Sequence, residues 1–354
     1  MPAPSWFGIG NGKPLRLIGL LVSAACFAAL ASCDKTNGTP DWEQNTEIPP
    51  SIEESSEPAA EPELPPVAQE AATIDPAPDS SPGLRFIAYN VENWLTMDRM
   101  VDGKQQPALP KPDSEKQAAI RLLAQHTPDI IGLCEIGEAK DLAEIQELLK
   151  TAGLSLPHSH YTGGSDPVRH LGLLSRFPIT LTSKPAETDF RLRGKTFSIN
   201  RGILDTTITA SGKTYQFIGV HLKSKRQIEE ADQEEMRIHE ARLLRRHVDS
   251  LLRKNPQARL VVYGDFNDTR PSKTMKTVTG SYNDPGYLTA VPAKDSRGHA
   301  WTHHWAPHDI YSRIDFITVS RALRSEVNFR ASRIIDDPGW DQASDHRPLL
   351  AIFH

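Results

Sequence analysis

The sequence predicts one α/β domain, sheets covered by helices, from residue 84 to the end of the chain. Three observations predict it. Short apolar, β-rich runs alternate there with segments of helical periodicity. Several of those runs are continuously hydrophobic, as strands covered on both faces are. No internal repeat and no further break in composition divides the segment.

In chain order the strand candidates are LRFIAYN (84–90), DIIGLCE (129–135), LGLLS (171–175), RGILDTTI (201–208), YQFIGVHL (215–222), RLVVYGDF (259–266), RIDFITV (313–319) and RPLLAIF (347–353). Each is too short for a helix and rich in β-branched or aromatic residues. Residues 114–126 read as a helix that gathers Ala118, Leu122 and Leu123 on one side, with Ser114 as its N-cap. Residues 138–151 carry Leu142, Ile145, Leu148 and Leu149 at three- and four-residue spacing. Residues 228–254 read as a long charged helix with Leu243, Leu244, Val248 and Leu251 as its buried stripe.

The chain is only 38% hydrophobic, and the deficit is local. Residues 34–83 hold 12 Asp or Glu against one Lys, and 10 of the 28 prolines. Such a composition cannot bury enough apolar surface to offset its ordering entropy, so a disordered acidic tether is expected. Residues 1–33 carry a charge of +2 and the tether −11, which leaves +4 of the total −5 for residues 84–354. A mildly basic domain is compatible with a phosphorylated or polyanionic partner. Lys13 and Arg16 precede LIGLLVSAACFAALAS, a stretch short for a membrane span and suited to the apolar region of a signal peptide. It ends in LASC (30–33), which resembles the lipobox of bacterial lipoproteins. That resemblance implies a lipoprotein signal peptide over 1–33, lipidation at Cys33, and a lipid-anchored chain in the bacterial cell envelope, facing the periplasm or the exterior. The remaining cysteines are Cys26 and Cys134. Only Cys134 lies in the predicted domain, so no disulfide is expected there, and it reads as a small buried apolar side chain.

Polar clusters close the predicted strands, where a rigid scaffold aims side chains into a cleft. They are YNVEN (89–93), CEIG (134–137), GVHLKS (219–224), YGDFND (263–268), SRIDF (312–316) and SDHRP (344–348). Singly each is more often a turn than a catalyst. Their joint occurrence, in this order, resembles the endonuclease/exonuclease/phosphatase family, which includes DNase I-like nucleases, apurinic endonucleases, sphingomyelinases and inositol-phosphate phosphatases. The resemblance runs from about Leu84 to the C-terminus. It implies a four-layer αββα sandwich, two mixed sheets face to face with helices outside.

It also implies roles. Glu135 matches the principal metal carboxylate, with Asn90 beside the same metal and Asp345 near it; the implied ion is Mg2+, with Mn2+ or Ca2+ as alternatives. A hard cation wants such oxygen ligands. Glu92 lies two residues beyond Asn90, on the same face of an extended strand. Asp265 would orient or deprotonate the attacking water, and Asn267 would donate to the phosphoryl group from the same side of an extended segment. His221 matches the histidine of the DNase I and sphingomyelinase branches, where apurinic endonucleases carry asparagine. His346 would act on the phosphate or as the acid–base imidazole, held by Asp315. Arg169 and His170, in the Gly-rich TGGSDPVRH (162–170), would reach the substrate, although the segment is not a P-loop.

HAWTHHWAPHD (299–309) reads as a surface loop, with substrate contact or transition-metal binding as alternatives. The insert 96–113 is expected to line the cleft. The implied enzyme is a metal-dependent phosphoric ester hydrolase acting on phosphodiesters, with nucleic acid as the first substrate class and the membrane engaged through Cys33. The alternatives are a phosphatase or a phospholipase- or sphingomyelinase-type enzyme. No long aromatic hairpin suited to a bilayer is evident, and nothing implies a protein partner. A non-catalytic envelope binding module is the reading from a different class.

Overall fold

The computed structural model describes residues 83–226 and 231–354. The segment expected to be a signal peptide, Cys33, and nearly all of the segment expected to be a tether lie outside them. Among the described residues no helix is long and apolar enough to cross a membrane.

Every apolar run read as a strand forms one. The chain runs β1 (Leu84–Trp94), β2 (Met97–Val101), β3 (Lys104–Leu109), α1 (Asp113–Gln125), β4 (Ile130–Ile136), α2 (Ala139–Thr151), β5 (His158–Thr162) and β6 (His170–Ser175). It continues through β7 (Ile179–Thr182), β8 (Asp189–Leu192), β9 (Lys195–Ser198), β10 (Ile203–Ala210), β11 (Lys213–His221), α3 (Gln233–Lys254), β12 (Arg259–Asp265), α4 (Lys273–Thr279) and β13 (Thr289–Ala290). The last elements are β14 (His303–Trp305), β15 (Ile310–Ser312), β16 (Asp315–Val319), β17 (Arg333–Ile334), α5 (Trp340–Ala343) and β18 (Leu349–Phe353).

One sheet has the order β17-β18-β1-β4-β6-β5 and the other β13-β16-β12-β11-β10-β7. Each is antiparallel except for one parallel pair, β1 with β4 and β11 with β12. A core of Phe86, Ile130, Leu173, Phe217, Val261 and Ile317 lies between the sheets. A second packs the first sheet against Ile120, Leu123, Ile145 and Leu149 of α1 and α2, and a third packs the other sheet against Leu244 and Val248 of α3 and Met275 of α4. This is the four-layer αββα sandwich. Close approach of the sheets makes Gly132 necessary, since a Cβ there would meet the Tyr263 ring at 2.0 Å.

Several expectations need correction. Ser114 is not the cap of α1. The helix starts at Asp113 behind Pro112, whose carbonyl accepts from Lys116 N at 3.0 Å and whose ring fixes the entry backbone. The long helix starts at Gln233 rather than 228, because the Asp232 side chain caps it by accepting from Glu235 N at 2.9 Å; residues 227–230 lie outside the description. The insert after β1, for which no element was expected, folds as the β2–β3 hairpin against Asn93, and its exposed faces leave no apolar alternation in the sequence to mark it. The stretch read as a loop at 299–309 contains β14, which pairs with β15.

Candidate active site

Both parallel pairs direct their C-terminal ends to one rim of the sandwich, and the antiparallel β16 and β18 begin there. The rim therefore collects Asn90 from β1, Glu135 from β4, His221 from β11, Asp265 from β12 and Asp315 from β16, with His346 just before β18. Sheet register aligns three of them directly: His221 pairs with Asp265, and Asp265 with Asp315. The other sheet loses its regular register between Asn90 and Trp94 and between Cys134 and Ile136. There Glu92, Asn93 and Glu135 adopt left-handed backbone, with φ of 48°, 54° and 66°. Left-handed non-glycine residues are uncommon and cluster where surrounding structure holds them for function.

Asn90 is the hub. Its Nδ2 donates to Glu135 Oε1 and to Asp265 Oδ2, both at 3.2 Å, and lies 3.4 Å from His346 Nε2. Its Oδ1 accepts from Glu92 N at 3.1 Å. Glu135 Oε2 accepts from Asn93 N at 2.9 Å, and Arg169 Nε stands 3.8 Å away while donating to Asn93 Oδ1 at 2.9 Å. His346 Nδ1 donates to Asp315 Oδ2 at 2.8 Å, which leaves Nε2 facing Asp265 Oδ2 at 3.8 Å. A hydrogen bond to a charged group contributes about 1.5–3 kcal/mol, enough to fix the orientation of the ring. His221 Nε2 lies 3.5 Å from Asp265 Oδ2 and 4.0 Å from Glu135 Oε1.

Burial, joined by the Asp315 carboxylate, pushes the Asp265 carboxyl up to about 7. Burial alone would lower His346, but the carboxylates of Asp315 and Asp345 overrule it and hold the imidazole well above its ordinary value. His221 goes the opposite way: burial, and then the Arg201 guanidinium, hold it well below. The two imidazoles are thus pushed in opposite directions. Burial and the charge of Asp345 also push Glu92 up to about 7.

The structure gathers Asn90, Glu135, Arg169, His221, Asp265, Asp315 and His346 in one constellation. Asn267 joins it by a turn rather than by strand alternation. Its φ is 50°, its N–H donates to Asp265 Oδ1 at 2.8 Å, and its Nδ2 donates to Leu222 O at 3.0 Å. Glu92 likewise leaves the extended face and accepts from Asp345 N at 2.9 Å through Oε2. Asp345 sits at the outer edge, its Oδ2 3.5 Å from His303 Nε2. His170 points away: its Nδ1 donates to Gly137 O at 2.5 Å, and its ring packs on Tyr161. Cys134 is buried, and its Sγ donates to Val220 O.

Sequence reasoning missed His303, Asn93 and Arg201. His303 pairs with His346 across an isolated bridge, ring centroids 4.6 Å apart. Its hairpin is pinned by Arg347, whose guanidinium lies 3.3 Å from the Trp301 ring centre and donates to Asp295 Oδ2 at 2.8 Å. The histidines of 299–309 were the available signal. Asn93 closes the polar cluster YNVEN without being singled out within it, and nothing in the sequence marks Arg201.

The carboxylate oxygens of Glu135 and Asp265, bridged by the Asn90 amide and with no sulfur turned toward them among the described residues, have the chemistry of a hard divalent cation site. Two tighter groups among the described residues, Asp265/Asp315/His346 and His303/Asp345/His346, mix carboxylate and imidazole, and neither includes Glu135. The first is already committed internally through the Asp315–His346 hydrogen bond.

Residues 112–290 match the family model described as "Endonuclease/Exonuclease/phosphatase family". Among solved structures, the endonuclease/exonuclease/phosphatase family protein from Leptotrichia buccalis is 15% identical with a TM-score of 0.53, covering 77% of this chain and 99% of that one. The human Nocturnin catalytic domain with bound sulfate anion is 19% identical with a TM-score of 0.54, covering 77% and 94%. The Staphylococcus aureus beta toxin is 14% identical with a TM-score of 0.51, covering 77% and 100%. These structures share the fold. No curated protein matches the chain in sequence.

Proposed function

The chain belongs to the endonuclease/exonuclease/phosphatase family, divalent-metal-dependent phosphoric ester hydrolases, and on that premise we propose that it is an exported phosphodiesterase acting on nucleic acid. The observation that carries the reading is the Asn90 hub, where one amide touches Glu135, Asp265 and His346. Glu135 with Asn90 would hold the ion, for which Mg2+ fits best. Bound there, it would neutralise charge on the phosphoryl oxygens.

The chain's own groups supply the rest. Asp265, its carboxyl near 7, takes a proton from water as the water oxygen bonds to phosphorus. His346, protonated and braced by Asp315, donates to the phosphoryl oxygens or to the departing alkoxide as the ester P–O bond breaks. Neutral His221 and the Asn267 side of the cleft orient the phosphate. The basic stretch around Lys223, Lys225 and Arg226 supports a polyanionic substrate. The Cys33 lipid anchor and acidic tether would hold the domain at a membrane of the cell envelope.

The purified chain with Mg2+ should nick plasmid DNA and lose the activity in EDTA. Hydrolysis of bis(p-nitrophenyl) phosphate with plasmid left intact would reject the nucleic-acid substrate and keep the enzyme class. One observation favours a lipid ester instead: the β14–β15 hairpin beside His346 exposes Trp305, Ile310 and Tyr311. Release of phosphocholine from sphingomyelin vesicles would select that reading.

A further inference from the structure

Arg201 stands just before β10. Because Ile203 pairs with Val220, it lies beside the end of β11 that carries His221. Its side chain is 7% exposed, and its Nε comes within 3.2 Å of Asp166 Oδ2. Yet neither Nε nor Nη1 meets an acceptor in hydrogen-bonding geometry, and the buried Nδ1 of His221 also has none. Buried donors left unsatisfied are rare and costly, so each one asks for a partner.

Asp166 Oδ2 is the ion-pair partner of Arg201 Nε, which leaves Nη1 without an acceptor. Asp166 Oδ1 is engaged elsewhere, accepting from Val168 N at 2.9 Å and Arg169 N at 3.2 Å. Glu240 is fully buried, and its two oxygens accept from Asn200 N at 2.9 Å and Lys223 N at 2.6 Å. Glu240 thereby ties the backbone at Asn200, next to Arg201, and at Lys223 to α3. The Gly-rich segment 163–166 does the same from the other side, because Ser165 N and Asp166 N donate to Ile199 O and Asn200 O. Glycine is needed for that backbone contact, since a Cβ on Gly164 would meet Ile199 O at 2.2 Å. The result is a rigid frame for three cations, Arg169, Arg201 and Lys223, all of which press on the His221 imidazole.

We propose that Arg201, Arg169 and Lys223 form a second anion subsite beside the scissile-phosphate centre, and that it takes a neighbouring phosphate of the same substrate. The guanidinium of Arg201 offers a phosphate its paired N–H donors, and Lys223 adds a point charge. The substrate class is then a phosphodiester whose nucleoside carries a further phosphate, as in an oligonucleotide, rather than an isolated diester. This deepens the phosphodiesterase reading and rests on it.

The test compares thymidine 5′-(p-nitrophenyl) phosphate with the same ester carrying a 3′-phosphate, using the full chain in detergent with Mg2+. Wild type should favour the bisphosphate in kcat/KM by about tenfold, the scale of one charge-assisted contact. Arg201→Gln should erase that preference and Arg201→Lys restore part of it. Independently, adenosine 3′,5′-bisphosphate should raise the melting temperature of Glu135→Ala, and adding Arg201→Gln should abolish the rise. If Arg201→Gln does not fold, Lys223→Gln is read in the same two assays. Equal kcat/KM for the two esters in wild type, or a preference that survives the substitutions, overturns the subsite. Hydrolysis of neither ester, with bisphosphate stabilisation still dependent on Arg201, overturns the phosphodiesterase reading and supports the subsite.

Discussion

Glu135 and Asn267 illustrate how far single residues carry chemistry here. Both were readable as strand-end polar residues, yet both stand at positive φ, 66° and 50°, held by contacts from other elements. Their chemical type was legible in the sequence, and their aim was not. The same holds for Asp265 and His346, whose pKa shifts come from burial, from Asp315 on another strand and, for His346, from its neighbour Asp345. Replacing His346 with Ala should lower kcat/KM on bis(p-nitrophenyl) phosphate by roughly 10²–10⁴-fold, the range for loss of an acid–base group. Glu135→Gln should cost at least as much in Mg2+. Undiminished hydrolysis in His346→Ala would remove the roles assigned to the Asp315–His346 pair.

At the scale of elements, α1 and the approach to α5 are joined by one polar contact outside the apolar core. His126, at the end of α1, donates to Asp337 Oδ2 at 2.8 Å. That bond, outweighing burial, holds the Asp337 carboxyl below its ordinary range. A depressed acid contributes its full stability above the ordinary carboxylate pKa of about 3.9 and loses it as pH falls through the lower folded value. Asp337→Asn should therefore cost about 1 kcal/mol at pH 7, modest because the carboxyl is partly exposed. At pH 3, below the ordinary carboxylate value, the penalty should be smaller. Urea midpoints of both proteins at the two pH values check this, and an equal penalty at both would exclude a charged role for Asp337. Strands and long helices were legible because burial imprints a period on them. The β2–β3 and β14–β15 hairpins were not, since their exposed faces carry no such imprint.

For the molecule as a whole, the C-terminal strand decides most. β18 lies inside its sheet between β1 and β17, with Leu349 to Phe353 all buried. Deleting residues 344–354 should therefore abolish cooperative unfolding as well as activity, whereas His346→Ala should keep a cooperative thermal transition by circular dichroism. A cooperative melt in the truncated chain would show that the sheet closes without its last strand. The sequence by itself determined the α/β class, the run of strands and the set of polar residues at their ends, because local burial and turn chemistry are written residue by residue. Only the tertiary structure decided which of those residues meet, that His303 and Arg201 stand among them, and that His170 does not. Those contacts join residues as much as 256 positions apart, as Asn90 and His346 are, and such proximity is set by sheet register and by the packing of two sheets on one another rather than by any local pattern.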